Sequence, residues 1–183
     1  FKNINLLTPK SSYIGMIANN SSDEISNINL NEINITGKDN IGGLIPDLAG
    51  NVVDLIVADR ITIQATASQI GGVIGTNSTG TLTNVNATNI SITGNEKVGG
   101  IIGSSTYGGA KLEHIEISNS NISGNNIVGG ICGNMPNAAS YLTAINITVS
   151  GNDQIGGLTG QKAGAINYAK IEESTVTGIN QVG

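Results

Sequence analysis

Val98-Gly99-Gly100-Ile101-Ile102-Gly103 is one copy of a phrase that the chain repeats along its whole length. It stands earlier as Ile41-Gly42-Gly43-Leu44-Ile45 and Ile70-Gly71-Gly72-Val73-Ile74. It returns as Val128-Gly129-Gly130-Ile131-Cys132 and Ile155-Gly156-Gly157-Leu158-Thr159. A weaker copy, Ile14-Gly15-Met16-Ile17-Ala18, opens the series, and Val182-Gly183 begins another. With the first glycine as marker, the copies fall at 15, 42, 71, 99, 129, 156 and 183, separated by 27, 29, 28, 30, 27 and 27 residues. Self-similarity at such a period is the signature of a solenoid or related repeat array.

A second feature keeps step with the first. Five residues before the marker stands Gly37, Gly94, Gly124, Gly151 or Gly178. Two residues before that glycine is a branched apolar residue: Ile35, Ile92, Ile122, Val149 or Val176. The copy before Gly71 departs, with Gln64-Ala65-Thr66. Two signals locked at one distance are far stronger than either alone.

The remainder of each copy reads as short strands. Ile33 and Ile35 alternate with polar neighbours, as do Ile90 and Ile92. The same reading takes in Leu55 and Val57, Ile61 and Ile63, Ile115 and Ile117, and Ile145, Ile147 and Val149. Period-two alternation of β-branched residues means half-buried strands. Gly, Asn, Ser and Thr clusters separate them, as turn chemistry requires. No sustained helical stripe occurs.

A strand face of this size cannot bury itself alone, whereas stacked copies bury it together. The expected fold is therefore all-β: a right-handed parallel β-helix, or β-solenoid, of about six coils of 27–30 residues. Coils about 4.8 Å apart would give a rod roughly 30 Å long. Residues 1–183 read as a single β-solenoid fragment of a longer protein, because the chain starts at Phe1 and stops inside a repeat at Gly183. The column Ile17, Leu44, Val73, Ile101, Ile131, Leu158 should face inward. The next column, Ala18, Ile45, Ile74, Ile102, Cys132, Thr159, should flank a corner or bulge. The glycine pairs mark either a close backbone approach or a sharp bend.

Composition fits a narrow interior of stacked aliphatics. The 183 residues include 26 Gly, 4 Tyr, 1 Phe and no Trp, and aromatics reach only 3%. Eight Lys and Arg against thirteen Asp and Glu give a formal charge of −5, which argues against a nucleic-acid surface. A single cysteine closes no disulfide within the chain. No stretch of 18 apolar residues occurs, so no transmembrane insertion is expected.

Chemistry-bearing residues are sparse, and none is assigned as catalytic, cofactor-binding or metal-ligating. His114, the only histidine, lies in Leu112-Glu113-His114-Ile115-Glu116-Ile117, where alternation puts His114 and Glu116 outside and Ile115 and Ile117 inside. Cys132 sits in an apolar column and should be buried. Asp47, Asp54, Asp59 and Arg60 share one copy, where paired carboxylates could do acid–base work on a glycosidic bond or bind calcium through oxygen. The intervening turns leave a common face unproven. Glu172 and Glu173 should diverge on a strand. Tyr13, Tyr107, Tyr141 and Tyr168 lie in different copies, and Lys10, Lys38, Lys97 and Lys111 are scattered. The Gly-rich phrases lack the Gly-Lys-Ser/Thr of a nucleotide loop, and no His-Glu-x-x-His is present.

The copies at 41–45, 98–103 and 155–160 resemble the Gly-Gly-Leu-x-Gly repeats called GLUG motifs, found in large bacterial surface proteins. They are also similar to the β-helical N-terminal region of immunoglobulin A1-specific zinc metallopeptidases. Pro46 stands where a Gly is usual, and Met16 replaces the second Gly of its copy. In that family the zinc-binding His-Glu-x-x-His lies in a separate C-terminal domain. The resemblance therefore implies a non-enzymatic, cofactor-free module, extracellular or on the bacterial cell surface. It would act as a rigid stalk or as a recognition surface for a host or surface protein. The alternative is a polysaccharide lyase or glycoside hydrolase on a β-helix scaffold. A flat ice- or surface-binding array is a third reading, weakened by the uneven spacing of 27 to 30.

Overall fold

A computed structural model describes residues 1–17, 24–50, 52–106, 111–135, 137–162 and 164–183. Ala18 and Tyr107, named above, lie outside the described residues. The chain is all-β and winds through about six stacked turns, forming three parallel sheets. The long sheet takes Lys2–Leu7, Ile25–Gly37, Val52–Ala65, Thr81–Thr88 with Ser91–Thr93, Lys111–Ser123, Ala139–Ser150, and Ile166–Glu172 with Thr175–Thr177. A second sheet carries the marker glycines: Ser12–Ile14, Asp39–Gly42, Ser68–Gly71, Glu96–Gly99, Asn126–Gly129, Asp153–Gly156 and Asn180–Val182. The short sheet takes Ile45–Leu48, Ile74–Asn77, Ile102–Ser105, Cys132–Met135 and Thr159–Lys162. Each coil passes through the long, glycine and short sheets in that order.

The repeat phase read from the sequence is the pairing register. Gly42 pairs with Gly71, Gly71 with Gly99, Gly99 with Gly129, and Gly129 with Gly156. Uneven coil lengths do not disturb this register, because the extra residues fall between strands. Five residues separate Ser105 from Lys111, where the neighbouring coils leave three. One more residue enters between Ala65 and Ile70, since Gly37 pairs with Ala65 at 28 residues and Ile41 with Ile70 at 29.

The glycine pairs answer to close approach. A Cβ on Gly99 would stand 2.0 Å from the Ile102 carbonyl oxygen of its own coil. On Gly100 it would stand 2.2 Å from the Gly130 carbonyl oxygen of the next. Neither glycine has a positive φ, so the backbone crowding alone excludes a side chain. The chain then turns a corner with two consecutive side chains inside. Ile101 and Ile102 are both fully buried, and their amides donate to one carbonyl, that of Ile131, at 2.9 and 3.0 Å. The same fork occurs from Leu44 and Ile45 to Val73, and from Val73 and Ile74 to Ile101. Leu44, Val73, Ile101 and Ile131 are inward as expected, with Leu158 and Ile17 packed partly buried at the ends. The column at Ile45, Ile74, Ile102 and Cys132 is equally buried.

The long sheet departs from simple alternation. Leu55 and Val57 are 49% and 48% exposed, while Val53, Ile56 and Ala58 are buried. The inward reading of Leu55 and Val57 is thus corrected. The physical reason is a left-handed residue at Leu55, φ 54°, which turns two successive side chains outward and shifts the parity by one. Such residues form three stacked columns. One is Asn3, Glu32, Arg60, Asn89, Asn119, Asn146 and Glu173; another is Asn27, Leu55, Asn84, His114, Tyr141 and Tyr168. The third stands two residues before each marker: Tyr13, Asn40, Gln69, Lys97, Ile127, Gln154 and Gln181. Asn supports this conformation through local side-chain hydrogen bonding. Glu172 and Glu173 are therefore both exposed, straddling a bend instead of diverging across a flat strand.

Candidate functional site

Of the two left-handed columns of the long sheet, the one through Asn27, Leu55 and Asn84 places His114 and two of the tyrosines. It brings His114, Tyr141 and Tyr168 onto successive coils, although they are widely separated in sequence. The rings stack nearly parallel. His114 and Tyr141 have centroids 4.5 Å apart at 4°, and Tyr141 and Tyr168 are 4.9 Å apart at 7°. These spacings match the separation of paired strands. Tyr141 and Tyr168 belong to different copies, as the sequence predicts, and in-register stacking makes one ladder of them. Tyr13 stands in the left-handed column of the glycine sheet instead.

His114 and Glu116 point outward and Ile115 and Ile117 inward, as alternation requires. The pair borders a depression of about 350 Å³ that also touches Asn84, Asn86, Tyr141 and Thr143. A second depression, of about 460 Å³, spans Asn27, Asn29, Leu55, Val57, Asn84 and Asn86. Both are lined by Asn84 and Asn86, so the two depressions lie side by side along the coil-stacking direction on the outer face and together form a shallow groove across these two residues.

Asp54 and Asp59 both lie on the outer side of the long sheet, each just before a left-handed residue. Hydrogen bonds occupy them. Asp54 Oδ1 accepts from Thr83 Oγ1 at 2.6 Å and from Asn84 Nδ2 at 2.8 Å. The Thr83 bond, followed by that of Asn84, holds the Asp54 carboxyl below its ordinary range. A general acid needs the opposite shift. Asp59 accepts from Asn89 at 2.9 Å and Asn31 at 3.2 Å, and pairs with Arg60 at 2.6 Å. Arg60 also reaches Glu32 at 3.0 Å. Asp47 lies apart on the short sheet, accepting from Ser78 Oγ at 2.9 Å. Lys97 and Lys111 are each paired with a carboxylate of their own strand, Glu96 at 3.5 Å and Glu113 at 3.0 Å.

Cys132 is fully buried, and its Sγ donates to the Asn134 carbonyl at 3.2 Å. Burial pushes its thiol up to about 12. Thiolate chemistry is thereby suppressed in the folded state. Among the described residues, no three of His, Cys, Asp and Glu gather in a way that would hold a metal ion. No helix there is long and apolar enough to cross a membrane.

No family model, curated protein or solved structure matches this chain. What stands is the all-β solenoid of about six parallel turns, as in β-helical repeat proteins. The sequence reading missed the groove because its lining residues come from different coils. The missed signal was a gap of three between inward residues, Val53 to Ile56 and Leu112 to Ile115, where period two predicts a gap of two.

Proposed function

We propose that this chain is a non-catalytic recognition module, a rigid stalk with a binding face, of a bacterial secreted or cell-surface protein. One observation carries the reading. The interior and the glycine corner are nearly the same in every coil, while the outward column Asn27, Leu55, Asn84, His114, Tyr141, Tyr168 changes from coil to coil beside a groove. Uniform packing builds a rod, and a varied outer surface on such a rod suits recognition. The hydrogen bonds that Asp54 and Asp59 accept from neighbouring coils support a non-enzymatic role. The likeness of the repeats to GLUG motifs supports placement outside the cell. It also makes the substrate-recognition region of an immunoglobulin A1-type metallopeptidase the preferred parent, with a host or surface protein as partner.

The test has two arms. The purified chain is incubated with a panel of neutral and acidic polysaccharides, and reducing ends and unsaturated products are measured. No turnover is expected, and measurable cleavage would overturn the non-catalytic reading. In the second arm, immobilised chain is exposed to immunoglobulin A1 and to bacterial surface-protein extracts. Saturable retention of a defined protein supports recognition. Its absence, with a downstream enzyme domain also absent from the full reading frame, removes the peptidase parent.

A further inference from the structure

The aromatic ladder stops where the two depressions join. His114 stacks on Tyr141 through one face. The next position of the column is Asn84, a short side chain whose amide is drawn toward Asp54. One coil further stands Leu55, 49% exposed. Between Leu55 and His114 the column therefore lacks a large side chain for one coil. With coils about 4.8 Å apart, that leaves a slot as high as a single ring. The imidazole face of His114 forms one wall, Asn84 the floor and Leu55 the other wall. Asn86 and Glu116 stand across the groove as an amide and a carboxylate.

We propose that this groove binds an uncharged oligosaccharide chain, with one sugar ring lodged over Asn84 against the open face of His114. The inference deepens the recognition reading and rests on it. Three observations select this occupant. The lining alternates apolar surface with uncharged amides: Leu55 and Val57, then Asn84 and Asn86, then the His114–Tyr141 stack. A sugar ring presents a C–H face to apolar or aromatic surface and hydroxyls around its edge. Asn86 supplies both donor and acceptor to such hydroxyls, and the carboxylate of Glu116 accepts from them. Apolar walls with a few fixed polar groups are the usual make-up of a small-ligand site.

Polyanions are disfavoured. The chain carries −5, and neither depression is lined by Lys or Arg. An extended peptide is disfavoured on different grounds. Strand addition needs a free sheet edge with unpaired backbone groups. The groove lies on the face of a sheet whose strands at these coils are paired on both sides. A sugar chain needs no backbone partner. Its monosaccharide repeat is about as long as one coil is high, so successive sugars meet successive coils.

The experiment uses the full 183-residue chain, with carbon-13-labelled histidine. It is titrated with neutral hexasaccharides (cello-, manno-, xylo- and chito-hexaose) and with a sulfated heparin hexasaccharide. At least one neutral probe should bind saturably and shift the His114 ring signals, with ring-current upfield shifts of sugar C–H protons. The sulfated probe should bind at least tenfold more weakly. Asn84→Tyr fills the slot with a residue that the same column already carries at 141 and 168. His114→Asn restores the column's own residue at 27 and 84. Each variant should weaken binding at least tenfold while keeping the wild-type melting profile. No shift with any neutral probe at millimolar concentration overturns the proposal, as does unchanged binding by both variants or equal binding of the sulfated probe. Saturable retention of a protein partner together with no binding of any neutral probe would overturn the sugar assignment alone and leave the recognition reading standing.

Discussion

The glycine corner and the left-handed column of the long sheet are both stacks with one residue per coil, yet they obey opposite rules. At the corner, Gly42, Gly71, Gly99, Gly129 and Gly156 repeat without variation, because a Cβ would stand 2.0 to 2.1 Å from a backbone carbonyl. In the long sheet the positions Asn27, Leu55, Asn84, His114, Tyr141 and Tyr168 share a backbone conformation while the residue type changes along the stack. Their side chains leave the rod, so the fold constrains φ and leaves the chemistry open. Uniformity along the stack reports packing, and variety reports a surface free to recognise something. Even Pro46 fits this rule: where later coils have Gly75 and Gly103, its ring faces Gly15, on which a Cβ would stand 2.8 Å from the Pro46 Cδ.

The sharpest way to break the comparison is a methyl group at the corner. Gly100→Ala sets a Cβ 2.2 Å from the Gly130 carbonyl and 2.3 Å from Ile117 Cδ1. Backbone cannot yield there without parting two coils, so a loss of about 3 kcal/mol or more is expected in urea unfolding. Gly50→Ala is the control. Gly50 has φ 79° and open space around its Cβ direction, so only the backbone preference is lost, about 1 kcal/mol. Equal costs at the two sites would refute the crowding account.

Cys132 tests the same corner from inside. Its thiol is raised from 9.0 to about 12 by burial. Below pH 9 both folded and unfolded chains hold this proton, and the group adds no pH dependence. Between the two values only the unfolded chain releases it, so stability falls as pH rises, by about 1.4 kcal/mol per unit. Relative to Cys132→Val, which has no such proton, the wild type should lose about 2 kcal/mol by pH 10.5. Parallel stability curves for the two proteins over that range would show that the thiol ionises freely in the fold.

Much of the corner was legible in the sequence, and little of the groove was. Gly99-Gly100-Ile101-Ile102 announces itself because packing forces every coil to spell it nearly alike. Whether the pair makes a bend or a close contact is decided between coils, since the atoms that crowd Gly100 belong to Gly130 and Ile117 of the next coil. The groove hid for the converse reason. No shared phrase in the sequence surrounds His114, Tyr141 and Tyr168, and only the register aligns them. Alternation was read straight through Leu55, where a left-handed residue resets it. Gaps of three between buried residues carry that information, and Asn at 84, 89, 119 and 146 marks the conformation.

The smallest effects lie in the outward columns and test whether φ is all the fold demands there. Asn119 has φ 49° and accepts from Asn146 Nδ2 at 2.8 Å through its amide oxygen. Asn119→Ala keeps a Cβ in the left-handed region and loses the amide, so about 1 kcal/mol should be lost. Asn119→Gly loses the same amide but relieves the backbone, and should cost clearly less than Ala. Tyr141→Asn removes two ring contacts while installing the residue that this column holds at 27 and 84. Stacked pairs contribute roughly 0.5–1.5 kcal/mol where buried. Tyr141 is 47% exposed, so a cost of about 0.5 kcal/mol is expected. A much larger loss would make the ladder a structural spine and place it under the rule of the glycine corner. A loss this small leaves the rings to the surface, where their value is what they bind.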